Sequence, residues 1–452
     1  MSISRISKTV LLFGLIAYAG LFGRASAEER TIPLKEALLI ALSDNPEIRA
    51  QSMALAATQE DVGIAGSYLL PKVAFEERFM RTTTPAYAFS FKMNQERFSA
   101  ADLLGAPDTF NHPPAISDFQ TSLTFEQPLY APKAYAGVAL AKKEHEARTH
   151  ELDRKKEEVA LKVFRAYRGV MTSRAYVQAA QKGIEDAEAH LRVAEVRYKE
   201  GIGIYSDVLR ARVALSTATE RKVSANKNME SARRALGLML GLTESLDIIP
   251  EEQEIAVRDI EHYYATSGSR KDLKAMQSRV TNAGNMLKMA HAGYLPVLGI
   301  GGAYQINDHK KPFGSDGESW QMMAFLKWEL FDGTKREHES RKAKYKINEA
   351  EEYLNGMKKE IAYQIYDAYL SVGEAREGQA LARASLEAAE EGTRIVSLRF
   401  ENSLSSMIEL LDMQTGLDAA RAGLVEKESA YLSAAANLWF QSGSILKELG
   451  LE

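Results

Sequence analysis

Between Val159 and Tyr198 a small or apolar residue recurs in alternating steps of four and three. The rungs are Val159, Val163, Ala166, Val170, Ser173, Val177, Ala180, Ile184, Ala187, Leu191, Ala194 and Tyr198. That spacing is a 3.5-residue period, and hence a coiled-coil seam. The ladder returns at an offset of about 202 positions. There it reads Ile361, Ile365, Ala368, Val372, Ala375, Gln379, Ala382, Leu386, Ala389, Thr393, Val396 and Phe400, with only Gln379 and Thr393 neither small nor apolar. One helical unit is written twice, and the rest of the chain hangs on the two copies.

Length alone would suggest about three domains, but the duplication favours one repeated unit. The first residues read as a secretory leader: Arg5 and Lys8, an apolar run from Val10 to Phe22, then Ala25-Ser26-Ala27. The run is short for a bilayer span and the small residues suit a cleavage site, so cleavage is expected after Ala27. Removing Arg5, Lys8 and Arg24 takes the formal charge from -4 to -7. A mildly acidic exported chain is a poor nucleic-acid binder. With no cysteine, disulfides, thiolate metal sites and a lipid anchor on cysteine are excluded. Beyond Ala27 no run of about 18 apolar residues exists, so no membrane helix is readable. A strand-built membrane element escapes that test, because its apolar residues occupy only every second position.

After the leader, Leu34 to Leu42 reads as a short amphipathic helix stopped by Asp44-Asn45-Pro46. Asn45 suits an N-cap and Pro46 the first helical position of a second helix, which runs to about Tyr68. Its counterpart spans about Lys271 to Tyr294, with Ser269 as the expected cap. Pro71 and Pro296 then open segments of strand character. Phe119, Thr121, Leu123 and Phe125 alternate with Gln120, Ser122, Thr124 and Glu126; Trp320, Met322, Ala324, Leu326, Trp328 and Leu330 share one face in the second copy. Each returning strand ends alike, in Pro128-Leu129-Tyr130 and Glu329-Leu330-Phe331, and an aromatic there fits a membrane-interface girdle. An antiparallel sheet on a soluble core would read the same way locally; what weighs against it is two lone hairpins, each followed by an enormous helix. The first copy carries about 24 extra residues between its strands. They fall within Thr82 to Pro114, whose four prolines read as a long exposed loop.

Prolines are then absent between Pro132 and Pro250, and after Pro312. Each copy thus holds a helix of roughly 68 residues, about 100 Å long. Gly201-Ile202-Gly203 and Asn402-Ser403 supply turns, and a return helix follows each. The expected organisation is a signal peptide (1–27), a first repeat (28–243), a connector (244–269), a second repeat (270–442) and a C-terminal segment (443–452). In the first repeat a helix precedes a strand hairpin at about 71–130, a long helix at about 133–200 and a return helix at about 205–243. In the second the hairpin is at about 296–331, the long helix at about 334–402 and the return helix at about 406–442. The connector, acidic and holding Pro250, reads as irregular chain lying against the middle of the helices.

Four strands cannot close a barrel, which needs about eight, and an open sheet edge cannot face lipid. If the hairpins are in a membrane, several chains share one barrel, and the helices form a tube beneath it. A barrel continued by a helical tube of about 100 Å is a conduit from outer membrane into periplasm.

The chain resembles the TolC-like outer-membrane efflux proteins over nearly all its mature length. The resemblance rests on TIPLKEALLIALSDNPEIRAQ, on YLLPKV and its echo GYLPVLGI, and on the turn motifs RYKEGIGIYSDVL and RFENSLSSMIELL, in order and correctly spaced. It implies a mainly α fold with a small β part: a duplicated coiled-coil α-barrel, an equatorial belt, and four strands per chain joining a trimeric 12-stranded transmembrane β-barrel. The implied partners are two further copies (a homotrimer), a periplasmic adaptor (membrane fusion) protein, an inner-membrane pump and outer-membrane lipid. Export of small molecules is the implied function; an exit duct for protein secretion is the alternative within the family, and a coiled-coil scaffold without a pore the alternative outside it. Many relatives are lipoproteins, from which the absence of cysteine sets this chain apart.

No convergent catalytic site, cofactor motif or metal site is readable. The eight histidines are scattered, and His145, His150 and His338 sit in charged helical stretches as solvated residues. The better candidates flank the far turns. Glu409 and Asp412 lie three apart, hence on one face, at the start of a return helix. The aligned pair in the first copy is Asp207 and Arg210, so only the second copy offers a doubled carboxylate. Acids simply favour a helix N-terminus; the resemblance adds the reading that these two line the periplasmic entrance as a pore constriction. Gly201, Gly203 and Tyr205, with Asn402, Ser403 and Ser406, are the expected adaptor-contact turns. The family often has glycine after the aromatic in both turns; Gly201 keeps it and Ser403 does not. Arg197-Tyr198 and Arg399-Phe400 read first as packing and helix-end features.

Overall fold

The computed structural model describes residues 31–105, 110–251 and 256–451; the expected leader lies outside them. Strand β1 (Thr31–Ile32) leads into helices α1 (Leu34–Asp44) and α2 (Pro46–Ser67). Strands β2 (Lys72–Thr82) and β3 (Ile116–Tyr130) form the first hairpin, with α3 (Pro85–Asn94) and α4 (Ala100–Leu103) between them. Then come α5 (Pro132–Lys199), α6 (Tyr205–Met239), β4 (Asp247–Ile248) and α7 (Ile260–Ser267). The second copy follows as α8 (Lys271–Ala292), β5 (Val297–Asp308), β6 (Gly317–Lys327), α9 (Lys335–Glu401), α10 (Met407–Ser442) and α11 (Ile445–Glu448). Helices α5 and α9 hold 68 and 67 residues, about 100 Å each. Pro46, Pro85 and Pro132 each stand at the first helical turn, where a missing N–H costs nothing.

The helices form one layer. Helices α2 and α6 lie end to end along one side of α5, and α8 and α10 along its other side; α9 packs outside α8 and α10. Every rung of the 3.5-residue ladder is buried or half-buried in α9, and in α5 every rung but Tyr198. The layer keeps two free edges, and large apolar side chains lie bare along them: Tyr345 and Tyr353 of α9 are 72% and 65% exposed, Val213 of α6 66%.

The strands repeat this plan. They form one antiparallel sheet in the order β2-β3-β5-β6, again with both outer strands unpaired within the chain. Registered residues share a face. On one face stand Val73, Phe75, Phe79, Phe119, Leu123, Phe125, Tyr304, Trp320, Met322 and Leu326; on the other Lys72, Arg78, Gln120, Ser122, Gln305 and Gln321. The charged exceptions on the apolar face, Glu77, Arg81, Asp308 and Glu318, lie in the loop half of the sheet, and uncharged Gln127 lies at the helix end.

Two joints let paired short helices serve as one long partner. At the first, Asn45 accepts hydrogen bonds from the N–H groups of Glu47 (2.8 Å) and Ile48 (3.4 Å), capping α2. Its side-chain amide donates to the Met239 carbonyl at 2.8 Å, so it closes the end of α6 as well. Gly241 beside it has φ +78, and an added Cβ would lie 2.9 Å from the Asp44 carbonyl oxygen. At the second joint Arg270 takes the place of Asn45. It donates to the Gln441 carbonyl at the end of α10 (2.8 Å) and pairs with Asp272 in the first turn of α8 (2.6 Å). Gly443, the repeat of Gly241, has φ +75.

The largest core surrounds these joints at mid-height. Phe164 and Trp439 meet edge to face with ring centroids 6.4 Å apart, and α1, α7 and α11 wrap them. Strand β1 pairs in parallel with β4. Tyr167, 1% exposed, donates to the Ile249 carbonyl at 2.6 Å and the Ile32 carbonyl at 3.2 Å, and burial pushes its hydroxyl up to about 12.

Four sequence expectations change. The segment after Thr82 is not simply an exposed loop: Ala88 and Phe91 of α3 are buried against Ile116 and Met80, an apolar pattern that the prolines obscured; Pro107 lies outside the described residues. The N-cap position of α8 is Arg270, not Ser269, whose hydroxyl is turned back to the Thr266 carbonyl at 2.7 Å; the Arg270 guanidinium, a donor only, serves the end of α10, and Asp272 accepts from the Leu273 N–H of α8 at 2.9 Å. The connector is not wholly irregular, since β4 gains a partner in β1 and α7 covers the core. Trp328 and Leu330 lie beyond β6: the partner strand begins at Val297, after Pro296, which has no N–H to offer. Trp328 instead donates to the Tyr294 carbonyl at 3.0 Å.

Replacing Asn45 with alanine removes a cap and a cross-joint hydrogen bond together. A loss of about 2 kcal/mol is expected, read as a lower unfolding midpoint in denaturant than for a surface control such as Ser52→Ala.

Candidate functional site

The helical layer ends at two turns, one per copy. Helix α5 stops because Gly201 adopts φ +77; the N–H groups of Ile202 and Gly203 both return to the Arg197 carbonyl at 3.0 Å. Gly203 passes so close that an added Cβ would lie 3.1 Å from the backbone of Arg197 and Tyr198. Tyr205 opens α6, its ring 5.3 Å from that of Tyr198.

In the second turn Ser403 stands where Gly201 does and takes the same left-handed conformation, φ +64. The hydrogen bonds match: Leu404 N–H to the Arg399 carbonyl at 2.8 Å, and Ser403 N–H to the Phe400 carbonyl at 3.1 Å. The turn survives without glycine, at a conformational cost of roughly 1–2 kcal/mol. Asn402 helps by donating to the Leu398 carbonyl at 2.8 Å. Ser406 caps α10, accepting from the Glu409 N–H at 3.2 Å.

The turns are tied by a residue that sequence reading had placed as a helix-end feature. Arg197 reaches across to the Phe400 carbonyl and to the Ser403 hydroxyl, the latter at 3.1 Å. Its guanidinium sits 4.5 Å from the centre of the Phe400 ring. Beneath it Ala194, Val208, Ala211, Phe400, Met407 and Leu410 form a closed apolar cluster. Above it Ile202, Ile204, Leu404 and Ile408 are bare, between 58% and 67% exposed. The tip is thus apolar and rimmed by charge. The uncharged stretches 201–206 and 402–408 at the centre of the two turn motifs were the signal for it.

Glu409 and Asp412 are both exposed on α10, just behind the turn. The Ser405 hydroxyl and then the Ser406 backbone N–H hold the Glu409 carboxyl below its ordinary range. Asp412 makes no ion pair among the described residues. In the first copy Arg210 lies 3.3 Å from Asp207 and neutralises it. One turn therefore carries an ion pair, and its repeat carries two carboxylates in no ion pair among the described residues, with Arg399 close enough to draw the Glu409 carboxyl down further.

Further up, a polar network that sequence reading missed links α5 to α10. Buried His190 meets Gln414 at 3.2 Å, and Gln414 donates to Asp186 (3.1 Å) and Asp418 (3.0 Å). Arg421 and Arg221 close it, each 2.7 Å from one of those carboxylates. Beside it Ala179, Ala180, Gly183, Ala218 and Ala419 line a groove of about 470 Å³ between α5, α6 and α10. Among the described residues one group has metal-ligand spacing, Asp308, His309 and Asp316 at the outer end of β5 and β6. Its members are already engaged: Asp308 accepts from the N–H groups of Lys310 and Lys311, and His309 pairs with Asp316.

The sequence matches the family model described as outer membrane efflux protein over residues 38–242 and 263–444. Outer membrane efflux protein BepC of Brucella suis is 21% identical over 456 aligned positions, covering 99% of this chain and 92% of that protein. Alkaline protease secretion protein AprF of Pseudomonas aeruginosa is 21% identical, covering 74% of this chain and 71% of its own. The crystal structure of the outer membrane protein VceC from Vibrio cholerae superposes with a TM-score of 0.71 at 18% identity, covering 93% of this chain and 97% of that one.

If Arg197 ties the turns, Arg197→Ala should speed amide hydrogen exchange at Ser403 and Leu404 by about tenfold, with exchange in the Phe164 core unchanged. Arg197→Lys should recover little, since an ammonium cannot hold a carbonyl, a hydroxyl and a ring face at once.

Proposed function

The chain belongs to the outer membrane efflux protein family, and from that we propose that three copies close into one conduit, with twelve strands in the outer membrane above a periplasmic helical tube. The observation that carries the reading is the matching pair of free edges: sheet and helical layer are both open on the same two sides of one chain. In lipid every backbone N–H and C=O needs a partner. The outer strands β2 and β6 therefore have to pair with neighbouring copies. The bare side chains along α9 and α6 are then covered by the same contact. The apolar sheet face meets lipid, and its charged exceptions fall in the loop half, toward the headgroups.

Family members are outer-membrane components of tripartite export systems, and a periplasmic adaptor and an inner-membrane pump are the partners we assign here. The tip suits the adaptor: Gly201, Gly203, Tyr205, Asn402, Ser403 and Ser406 border an apolar surface that water leaves uncovered at a cost. The mature chain is taken to begin after Ala27, and its two repeats to divide at the connector 244–269. Small molecules are the cargo this reading favours. The likeness to a protein named for protease secretion keeps a protein-export duct as the second reading.

Glu409 and Asp412 are assigned to the constriction. Each chain contributes two carboxylates, neither in an ion pair among the described residues although Arg399 acts on Glu409 from the same turn, so a trimer gathers six in one ring. Such a ring concentrates cations and resists closure without them. Crowding of like charges pushes carboxyl pKa values up, against the Ser405 and Ser406 contacts that lower Glu409 in the single chain.

Two measurements test this. Cross-linking in detergent should stop at three copies; a stable monomer would remove the reading. Across a planar bilayer the channel should be cation-selective and blocked by multivalent cations, and Glu409→Ala with Asp412→Ala should weaken both effects. Unchanged selectivity and block in the double variant would leave the two acids as ordinary helix-end residues.

A further inference from the structure

The first hairpin carries α3 and α4 at its loop end, where the second has only a short turn, and the side of the sheet they occupy has a consequence. Gln95, just after α3, is 1% exposed. It donates to the Ser117 carbonyl at 2.9 Å and the Asp118 carboxylate at 2.8 Å. Asp118 also accepts from Asn307 at 3.1 and 3.0 Å. Phe91 and Ala88 pack on Ile116 and Met80. Gly317 lets the backbone of Asn94 come so near that an added Cβ would lie 2.3 Å from its carbonyl oxygen.

These sheet residues come from all four strands, and the register puts them on one face. Met80 pairs with Asp118, Ile116 lies two residues from it along β3, Asn307 pairs with Gln120, and Gly317 pairs with Asn307. That is the face of Gln120, Ser122 and Gln305, opposite to Phe119, Leu123 and Trp320. The apolar face meets lipid, so the polar face lines the lumen.

We propose that the α3–α4 segment is an internal cap folded over the lumen at the outer mouth, so that three of them restrict the conduit on its extracellular side. This rests on the trimeric reading above. Strands about 4.8 Å apart and tilted about 40° give a barrel of twelve strands a backbone diameter near 24 Å. A helix with its side chains is about 10–12 Å across. Three such helices seated on the inner wall at the rim take up most of that opening. The exposed Leu103 and Leu104 give neighbouring caps apolar surface on which to meet. The conduit then has two restrictions of different chemistry: charged at the periplasmic tip, and at the outer mouth built on a buried Gln95–Asp118–Asn307 node.

Accessibility from outside the cell tests this independently of the periplasmic tip. The chain has no cysteine, so Ser122→Cys places a single thiol on the luminal face and Leu123→Cys one on the lipid face. The probe is a maleimide carrying a long polyethylene glycol tail, added to intact cells. Thr82 pairs with Ile116, so a two-residue Asn-Gly turn can replace residues 83–115 without disturbing the strands. In the full chain the thiol at 122 should react slowly. Without the cap, or with Phe91→Asp to unseat it, labelling should be at least about tenfold faster, as expected for removing a steric barrier from a pore. Equal rates in trimers that form normally would overturn this inference alone. Preferential labelling at 123 would reverse the face assignment, put the segment outside the barrel, and overturn it too. Failure of the full chain to form trimers would instead remove the reading on which it rests.

Discussion

Backbone hydrogen bonding at the edges of a four-stranded sheet governs the rest of this molecule. In water an open edge is a liability that solvent partly satisfies; in lipid it is not allowed. A sheet with Trp320 and Met322 about four-fifths exposed on one face is built for lipid, so its edges demand strands from other copies. Once the sheets close, the helices beneath close as well, because each strand pair leads into a long helix, at once at Pro132 in the first copy and after residues 328–334 in the second. The tube is a consequence of the barrel's edge requirement, transmitted through rigid helices about 100 Å long.

Duplication made that arrangement cheap to specify, and the two copies diverge at the joints, at the tip and at the outer end. At the joints the copies solve one problem with different chemistry. A neutral amide at Asn45 caps two helices with three hydrogen bonds, whereas Arg270 needs Asp272 to balance its buried charge. Burial pushes the Asp272 carboxyl upward, but the neighbouring Arg270 and Arg154 outweigh it and hold it below its ordinary range. At the tip the two turns keep one backbone geometry, although Ser403 replaces Gly201. What differs is charge, with Asp207 paired to Arg210 and Asp412 to nothing described. At the outer end one hairpin carries a folded insert and the other a short turn. Each asymmetry sits where a ring of three copies would be narrow or hinged.

Much of this was legible in residue spacing. The 3.5-residue ladder announced two very long helices, because a seam that regular can be buried only by partners running alongside it. Strand alternation announced a sheet with one apolar face, since side chains of a strand point to opposite sides in turn. Asn45 before Pro46 announced a helix start. The pairing partner of each segment was not legible. That Asn45 also serves the far end of α6, 194 positions away, follows from stacking two helices along α5. Arg197 gave no sign that its hydrogen bonds would cross to the other copy, because a residue's spacing says which face it lies on and not what stands opposite.

The sequence by itself determined the repeat, the long helices, the faces of the strands and the positions of the turns, all of which are set by interactions between residues a few positions apart. The tertiary structure alone decided the strand order, the Asn45 and Arg270 joints, the His190 network and the seating of α3 on the polar face of the sheet. Those depend on contacts between segments far apart in the chain. Such contacts are selected by the shape and hydrogen-bonding needs of whatever surface folding brings alongside, and no local period encodes that choice.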